Sequence, residues 1–215
     1  MEWDRFFDDL EDQLAAQYEA ERVALDSEAE RLRLSRMPLR DRLSRLIDRV
    51  HEQGSPGFAL ADGSTLNGTV TGLGADWVAL EAAEHRGGGV VVPITAITAL
   101  TLGQQDLLHS ARPPDSTGSA LSGRITFGFV LRDLVRRRVA VSVHLRSGTA
   151  LTGTIDRAGV DHIDLALHDA GQPRRSSNVS GYRIIPLDAI AWVRLDVAST
   201  AQSSAASPSA ARSMW

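Results

Sequence analysis

The sequence predicts an α+β fold in which a long N-terminal amphipathic helix is followed by two small five-stranded β-barrels, each preceded by a short helix. Three observations predict it. Residues 1–37 lack glycine and proline and space their apolar residues by three, four or seven, as one face of a helix does. From Phe58 onward the apolar period falls to two, which is typical of strands. Residues 60–80 and 145–165 repeat one phrase, so we expect one architecture twice.

The repeat aligns residues 60–80 with residues 145–165 without a gap. The identical pairs are Leu60/Leu145, Gly63/Gly148, Leu66/Leu151, Gly68/Gly153, Thr69/Thr154, Gly74/Gly159, Asp76/Asp161 and Leu80/Leu165. A second matching phrase, residues 92–97 against residues 185–190, closes each copy with an apolar residue followed by proline. Helix and five strands therefore occur twice in the prediction.

The N-terminal helix is predicted to run from Trp3 to about Ser35. At 1.5 Å per residue it would be roughly 50 Å long, which exceeds the width of a small barrel. Its apolar stripe needs a partner, either the chain's own barrels or another chain. We predict oligomerisation through the first part of the stripe, which consists of Trp3, Phe6, Phe7, Leu10, Leu14 and Tyr18.

The remaining elements follow in order. A short helix is expected from Pro38 to Val50, because proline suits a first helical turn. The Asp62-Gly63 dipeptide is a hairpin signal between the first two strands. The expected strands lie near 58–61, 65–72, 76–82, 89–93 and 97–102, and near 139–146, 150–157, 161–167, 182–186 and 190–196. The predicted domains are a helical arm at 1–37, barrels with leading helices at 38–103 and 121–196, a linker at 104–120 and a disordered tail at 197–215.

Composition excludes several classes of protein. The chain of 215 residues has no cysteine, which removes disulfides, thiolate nucleophiles and cysteine-ligated zinc. No apolar run approaches the ~18 residues of a transmembrane helix, and the first residues do not resemble a secretory signal. We therefore expect a cytoplasmic protein with no membrane contact.

Charge is unevenly distributed along the chain. The net charge is −4, yet residues 1–30 contain only Arg5 and Arg22 as basic residues, and the second repeat is rich in arginine. Such asymmetry is typical of a binding surface for an anionic partner. Alternatively, the acidic and basic segments pair with each other within the protein or its oligomer.

A leading helix and five strongly bent strands, with glycine in the second strand, resemble the small β-barrel of the Sm and LSm proteins. The matching residues are Leu60, Asp62, Gly63, Gly68 and Leu80 in the first copy, and Leu145, Gly148, Gly153 and Leu165 in the second. Glycine suits a tight bend because it has no Cβ. The resemblance covers about 58–102 and 139–196, and PRC-barrel and SH3-like barrels share much of the pattern. The whole chain, opening with Trp3-Asp4-Arg5-Phe6-Phe7, also resembles a group of actinobacterial proteins, which implies no activity.

Two departures from the Sm pattern affect what the resemblance implies. The Arg-Gly pair expected before the last strand is replaced by Val92-Pro93-Ile94 and Ile185-Pro186-Leu187. The base-binding loop has no asparagine and reads Ala75-Asp76-Trp77 and Val160-Asp161-His162. The uridine pocket of that family is therefore not expected here.

Catalytic chemistry has little support in the sequence. His162 and Asp164 share one strand face, but no further His-rich spacing completes a metal site. The Gly87-Gly88-Gly89 run lacks the Lys-Ser/Thr of a phosphate loop, and no Gly-x-Ser-x-Gly motif is present. We predict a non-enzymatic protein without cofactor or metal.

Two functions are consistent with these patterns. The first is an adaptor that contacts RNA or another nucleic acid through arginines of the second barrel, since arginine binds phosphate bidentately. The candidate residues are Arg136, Arg137, Arg138, Arg174 and Arg175. The second is a protein–protein scaffold or regulatory protein, a homo-oligomer assembled through the N-terminal helix and open barrel edges, because unpaired edge strands template pairing.

Overall fold

A computed structural model describes most of the chain. The described residues are 2–47, 49, 51, 54–82, 88–113 and 122–196, with the backbone alone for 2–12. The predicted disordered tail lies outside them. The chain divides into two compact units, Met1–Pro38 and Leu39–Trp215. None of the described helices has an apolar stretch of the length that crossing a bilayer requires.

The first unit is built on one long helix, α1, which spans Glu2–Ser35 and confirms the predicted helix. Pairs of opposite charge one turn apart stabilise its exposed surface, as where Nε of Arg33 donates to Glu30 at 2.7 Å. The helix ends just before Pro38, whose ring prevents continuation.

The described residues of the second unit include three α-helices. The helix α2 spans Leu39–Ser44 and is shorter than predicted, because the chain turns after Ser44 and Ile47 forms a parallel bridge with Val70. The helix α3, Gln104–Ser110, falls in the segment for which the sequence predicted only a linker. The helix α4 spans Phe127–Arg137, and the hydroxyl of Thr126 caps its first turn by accepting from the Phe129 N–H at 3.3 Å.

All ten predicted strands are present, with ends within one residue of the expected positions. The first set is β1 Gly57–Leu60, β2 Thr65–Leu73, β3 Trp77–Ala82, β4 Gly89–Pro93 and β5 Ile97–Thr101. The second set is β6 Ala140–Leu145, β7 Ala150–Ala158, β8 His162–Leu167, β9 Gly181–Pro186 and β10 Ile190–Leu195. Period-two patterning and the turn residues between strands were therefore sufficient to place them.

The two sets repeat each other in strand pairing and register. Gly68 lies opposite Ala82 in the β2–β3 pair, and its repeat equivalent Gly153 lies opposite Leu167 in the β7–β8 pair. The β2 bulge between Val70 and Gly72 recurs in β7, between Ile155 and Arg157. A bulge in β1–β5 pairing likewise recurs in β6–β10 pairing. The internal repeat of the sequence is therefore also a repeat of backbone geometry.

The prediction of two closed five-stranded Sm-like barrels is wrong. The strands form one open antiparallel sheet in the order β5-β1-β2-β3-β4-β10-β6-β7-β8-β9. Neither set closes on itself, because β4 pairs with β10 of the other set, placing Val91 opposite Val193 and Val90 opposite Arg194. The physical reason is that an edge strand's unpaired N–H and C=O groups are satisfied by any edge of matching register, and this junction satisfies two edges together.

Two apolar clusters fill the space around the sheet, and each takes a residue from the opposite set. The first cluster includes Phe58, Leu43 and Leu46, and also Trp192 of β10. The second includes Leu131 and Ile163, and also Val91 of β4. The β4–β10 junction is therefore part of both cores.

Candidate functional site

The predicted nucleic-acid residues Arg136, Arg137 and Arg138 lie at the end of α4. Nε of Arg137 is 2.7 Å from Asp133, and NH1 of Arg136 is 4.0 Å from the same carboxylate. Arg138 ends the helix in the left-handed conformation, with φ of 52°. Cations at a helix C-terminus are stabilised by the helix dipole, which gives these arginines a structural role. Their contact with nucleic acid stays a prediction.

The predicted residues Arg174 and Arg175 lie between β8 and β9, before a single 3-10 turn at Ser176–Asn178. Arg174 donates from Nε to Asp156 of β7 at 2.6 Å, and from NH2 to the other carboxylate oxygen. The hydrogen bond to Asp156 and the charge of that carboxylate raise the pKa of Arg174 above its ordinary value. The bidentate pair holds this loop against the sheet.

Arg174 also borders a pocket on β7, β8 and β9, the three strands at one end of the sheet. We name it the β9 pocket. It has a volume of about 590 Å³ and is lined by Asp156, Arg157, Asp164, Arg174, Tyr182, Arg183 and Ile184. The predicted cluster at residues 136–138 does not contribute to its lining. The structure therefore places Arg174 beside Arg157, Tyr182 and Arg183, none of which is among the site residues predicted from the sequence.

A cross-strand row of three residues crosses the pocket. Arg157 of β7 lies opposite Asp164 of β8, which lies opposite Ile184 of β9. The Arg157 side chain is 85% exposed, and its NH1 atom is 4.0 Å from Asp164. Arg183 donates from NH1 to the Tyr182 carbonyl at 3.1 Å, and within the described part of the chain no carboxylate pairs with it. Two of the three guanidinium groups are therefore available to an anion.

The corresponding row in the first set is apolar and small. It consists of Gly72, Ala79 and Val91, and Val91 is buried where β4 meets β10. In the second set the equivalent Ile184 is 75% exposed. The β9 pocket is thus a place where the second copy departs from the first. In a residue-by-residue alignment of the two copies, this difference is visible in the sequence at Gly72/Arg157 and Ala79/Asp164.

The two ends of the sheet are β5 and β9, each hydrogen-bonded to one neighbouring strand among the described residues. β9 is the repeat equivalent of β4, and β5 is the repeat equivalent of β10. The strands at the two ends are therefore the counterparts of the two strands that join at the centre.

The predicted oligomerisation stripe of α1 is described only in part. Trp3, Phe6, Phe7 and Leu10 belong to the stretch whose side chains are not described. Leu14 is 52% and Tyr18 is 65% exposed. Two apolar positions of the stripe are thus accessible, and their role in oligomerisation stays a prediction.

Among the residues that the structure describes, a histidine contacts a carboxylate in two places. His162 lies 2.8 Å from Asp161 on the exposed surface, and its hydrogen bond lowers the pKa of that carboxyl group. In the interior, Asp106 of α3 accepts from Nε of Arg49 at 2.6 Å and lies 2.7 Å from Nδ1 of His51. Within the described ranges, no group of three or more histidine and acidic side chains is placed to hold a metal ion.

A scan against protein-family models, a search of curated proteins and a search of solved structures each found no match to this chain.

Proposed function

We propose that the chain is a non-enzymatic, cytoplasmic assembly module whose copies join head to tail, β9 of one copy pairing with β5 of the next. The observation that carries the proposal is the β4–β10 junction inside the chain. It joins the equivalents of β9 and β5 in antiparallel register. An exposed edge is a template for pairing, and each copy offers one edge of each kind.

The internal junction supplies a register for the proposed one. In the internal junction, Val91 lies opposite Val193 and Val90 lies opposite Arg194. When each residue is replaced by its equivalent in the other strand set, the proposed junction places Ile184 opposite Leu100 and Arg183 opposite Thr101. Both junctions thus combine one aliphatic pair with one pair that contains an arginine. Because Ile184 is 75% exposed in the single chain, pairing would bury an apolar side chain worth about 1.5–3 kcal/mol when fully covered.

The two surfaces of this junction differ, so the contact is heterologous. Heterologous contacts give rings when the rotation closes and filaments when it does not. The proposal therefore predicts complexes larger than dimers at high concentration, with masses that are multiples of 23.2 kDa.

A charge substitution at one exposed position tests the register. Thr101→Lys places a cation opposite Arg183 and should weaken assembly by roughly two- to fivefold per contact, whereas Thr101→Glu should strengthen it by a similar factor. Light scattering coupled to gel filtration over a concentration series measures both. Val160→Lys is the control, since Val160 is 92% exposed in the turn after β7 and off both edges. A wild-type chain that stays monomeric at every concentration would disprove the proposal.

Engineered cysteines test the same pairing covalently, on a chain that has none of its own. An Arg183→Cys chain mixed with a Thr101→Cys chain should give a covalent dimer on oxidation. Either variant alone should not form this covalent dimer. When two copies of the same variant join head to tail, only one of the two paired edges carries a cysteine. Val160→Cys mixed with Thr101→Cys is the control. Equal cross-linking in that mixture would indicate random collision.

Contact with RNA or another nucleic acid through the second strand set is the second candidate function. The specific observation in its favour is that Arg174 borders the β9 pocket together with Arg157 and Arg183. Phosphate contacts release counterions, so the logarithm of the affinity should fall linearly with the logarithm of salt concentration. A filter-binding titration against single-stranded RNA across a salt series measures this, and affinity that does not change with salt would remove the candidate.

A further inference from the structure

We propose that the β9 pocket binds one nucleotide of a single strand, with the base against the Tyr182 ring and the phosphate on Arg157 and Arg183. The inference deepens the second candidate function and depends on it. The proposed assembly contact would also use β9, placing Thr101 of the next copy opposite Arg183 and covering Ile184, so the test includes a chain in which assembly is weakened.

The aromatic residue is the first part of the argument. Tyr182 lies on the last strand of the sheet and is 60% exposed, in a pocket of about 590 Å³. An accessible ring beside a basic groove is how proteins bind single strands without base-specific hydrogen bonds. The equivalent position in the first set is Gly89, so this ring is a feature of the second set alone.

The guanidinium groups are the second part. Arg174 already holds Asp156 bidentately and therefore serves to position the loop. Arg157 is long, 85% exposed and 4.0 Å from its nearest carboxylate, so a phosphate can compete for it. Arg183 leaves β9 on the face opposite to Tyr182, but its NH1 atom donates to the Tyr182 carbonyl at 3.1 Å, which keeps its guanidinium group at the strand edge that borders the pocket.

The balance of charge in the pocket also determines the class of ligand. The lining contains three arginines, Arg157, Arg174 and Arg183, and two carboxylates, Asp156 and Asp164, so the charged residues around the pocket are positive in sum. A ligand that combines an anionic group with a flat ring matches both features. Free nucleotides and strands share this chemistry, and the arms of the experiment separate them.

The test uses fluorescence anisotropy of a labelled single-stranded RNA ten-mer with the full chain and with Thr101→Lys, whose pocket is unchanged. Tyr182→Ala should weaken binding about tenfold, and Tyr182→Phe should restore it, since stacking needs the ring and not the hydroxyl. Arg157→Gln and Arg183→Gln should each reduce the salt slope by about one. Arg31→Gln is the matched control, because Arg31 is 78% exposed, lies on α1 and is not among the predicted nucleic-acid residues.

Competition arms identify the source of the ligand. Unlabelled ten-mer should displace the probe, and a mononucleotide should do so only at much higher concentration; equal potency would reassign the pocket to free nucleotides. Displacement by polyphosphate as strong as by RNA would overturn the role of the base. Displacement by a peptide of residues 2–30 alone would instead identify the acidic helix as the occupant.

Salt-dependent RNA binding that is unchanged by Tyr182→Ala would overturn the proposed site and leave the second candidate function in place. The absence of any RNA binding would overturn both.

Discussion

At the scale of single residues, two equivalent glycines allow the strands to approach closely. A Cβ built on Gly68 would collide with the Glu81 carbonyl, and one on Gly153 would collide with the Ala166 carbonyl. Both glycines therefore allow neighbouring backbones to lie closer than a side chain would permit. Gly72 differs, because a Cβ there would meet only the Ala79 side chain at 3.5 Å, an ordinary contact.

These glycines give a matched pair of substitutions. Gly153→Ala should lower the free energy of unfolding by about 1–3 kcal/mol, because the sheet must shift to relieve the collision. Gly72→Ala should leave it within about 0.5 kcal/mol of wild type. Urea unfolding followed by tryptophan fluorescence measures both variants. A similar loss in both would show that close approach is not what the glycine provides.

At the scale of elements, a buried carboxylate connects α3 to the chain after α2. Asp106 is 3% exposed and accepts hydrogen bonds from Arg49 and His51. Because an ionised carboxylate only accepts, Nδ1 of His51 carries the proton. Burial works against ionisation of Asp106, but the hydrogen bonds from Arg49 and His51 outweigh it and hold the pKa of Asp106 below its ordinary value.

Removal of this carboxylate should destabilise the protein. Asp106→Ala should lower the free energy of unfolding by about 3 kcal/mol, because Arg49 and the His51 ring lose their partner in the interior. Asp41→Ala is the control, since the Asp41 side chain is 54% exposed. A change of less than about 0.5 kcal/mol for Asp106→Ala in urea unfolding would contradict the structural role given to this residue.

The same group predicts a pH dependence. A carboxyl group whose pKa is lowered on folding stabilises the native state above its unfolded pKa of about 3.9, and that contribution disappears as pH falls through the lower native pKa. Asp62, whose pKa is also lowered by hydrogen bonds from Ser64 and Trp192 that outweigh burial, adds in the same direction. The free energy of unfolding should therefore decrease below pH ~4, and less steeply in Asp106→Asn. Parallel pH curves for the two proteins would contradict this assignment.

At the scale of the whole molecule, the two strand sets share their cores. Trp192 of β10 belongs to the first cluster, donates to Asp62 at 2.8 Å, and stacks on His144 with ring centroids 3.5 Å apart. Val91 of β4 belongs to the second cluster. Each set therefore completes its apolar core with a side chain from the other, which couples their stability.

This sharing predicts cooperative unfolding of the two sets. Val91→Ala should lower the global free energy of unfolding by about 2 kcal/mol. The free energy of opening measured by hydrogen exchange should fall by the same amount for amides of β2 and for amides of β7. Native-state hydrogen exchange read by mass spectrometry measures the two strands separately. Val160→Ala, at an exposed turn, is the control. If only β7 peptides lost protection in Val91→Ala, the sets would be independent folding units.

The sequence by itself determined the local structure of this protein. Alternation of apolar residues, Asp62-Gly63 and its equivalent turn, and the spacing of Gly68 and Gly153 placed all ten strands, because these are short-range properties of the backbone. It also predicted α1, although α3 was missed, since its seven residues lie in a segment of linker composition.

Only the tertiary structure decided how the edges of the repeats are satisfied. Hydrogen bonds between edge strands involve backbone groups, which are alike in every strand, so no side-chain pattern distinguishes closure within a set from the β4–β10 junction that formed. The same applies to the candidate site. Arg157, Arg174 and Tyr182 are far apart in sequence, and the pairing of β7, β8 and β9 is what brings them to one pocket.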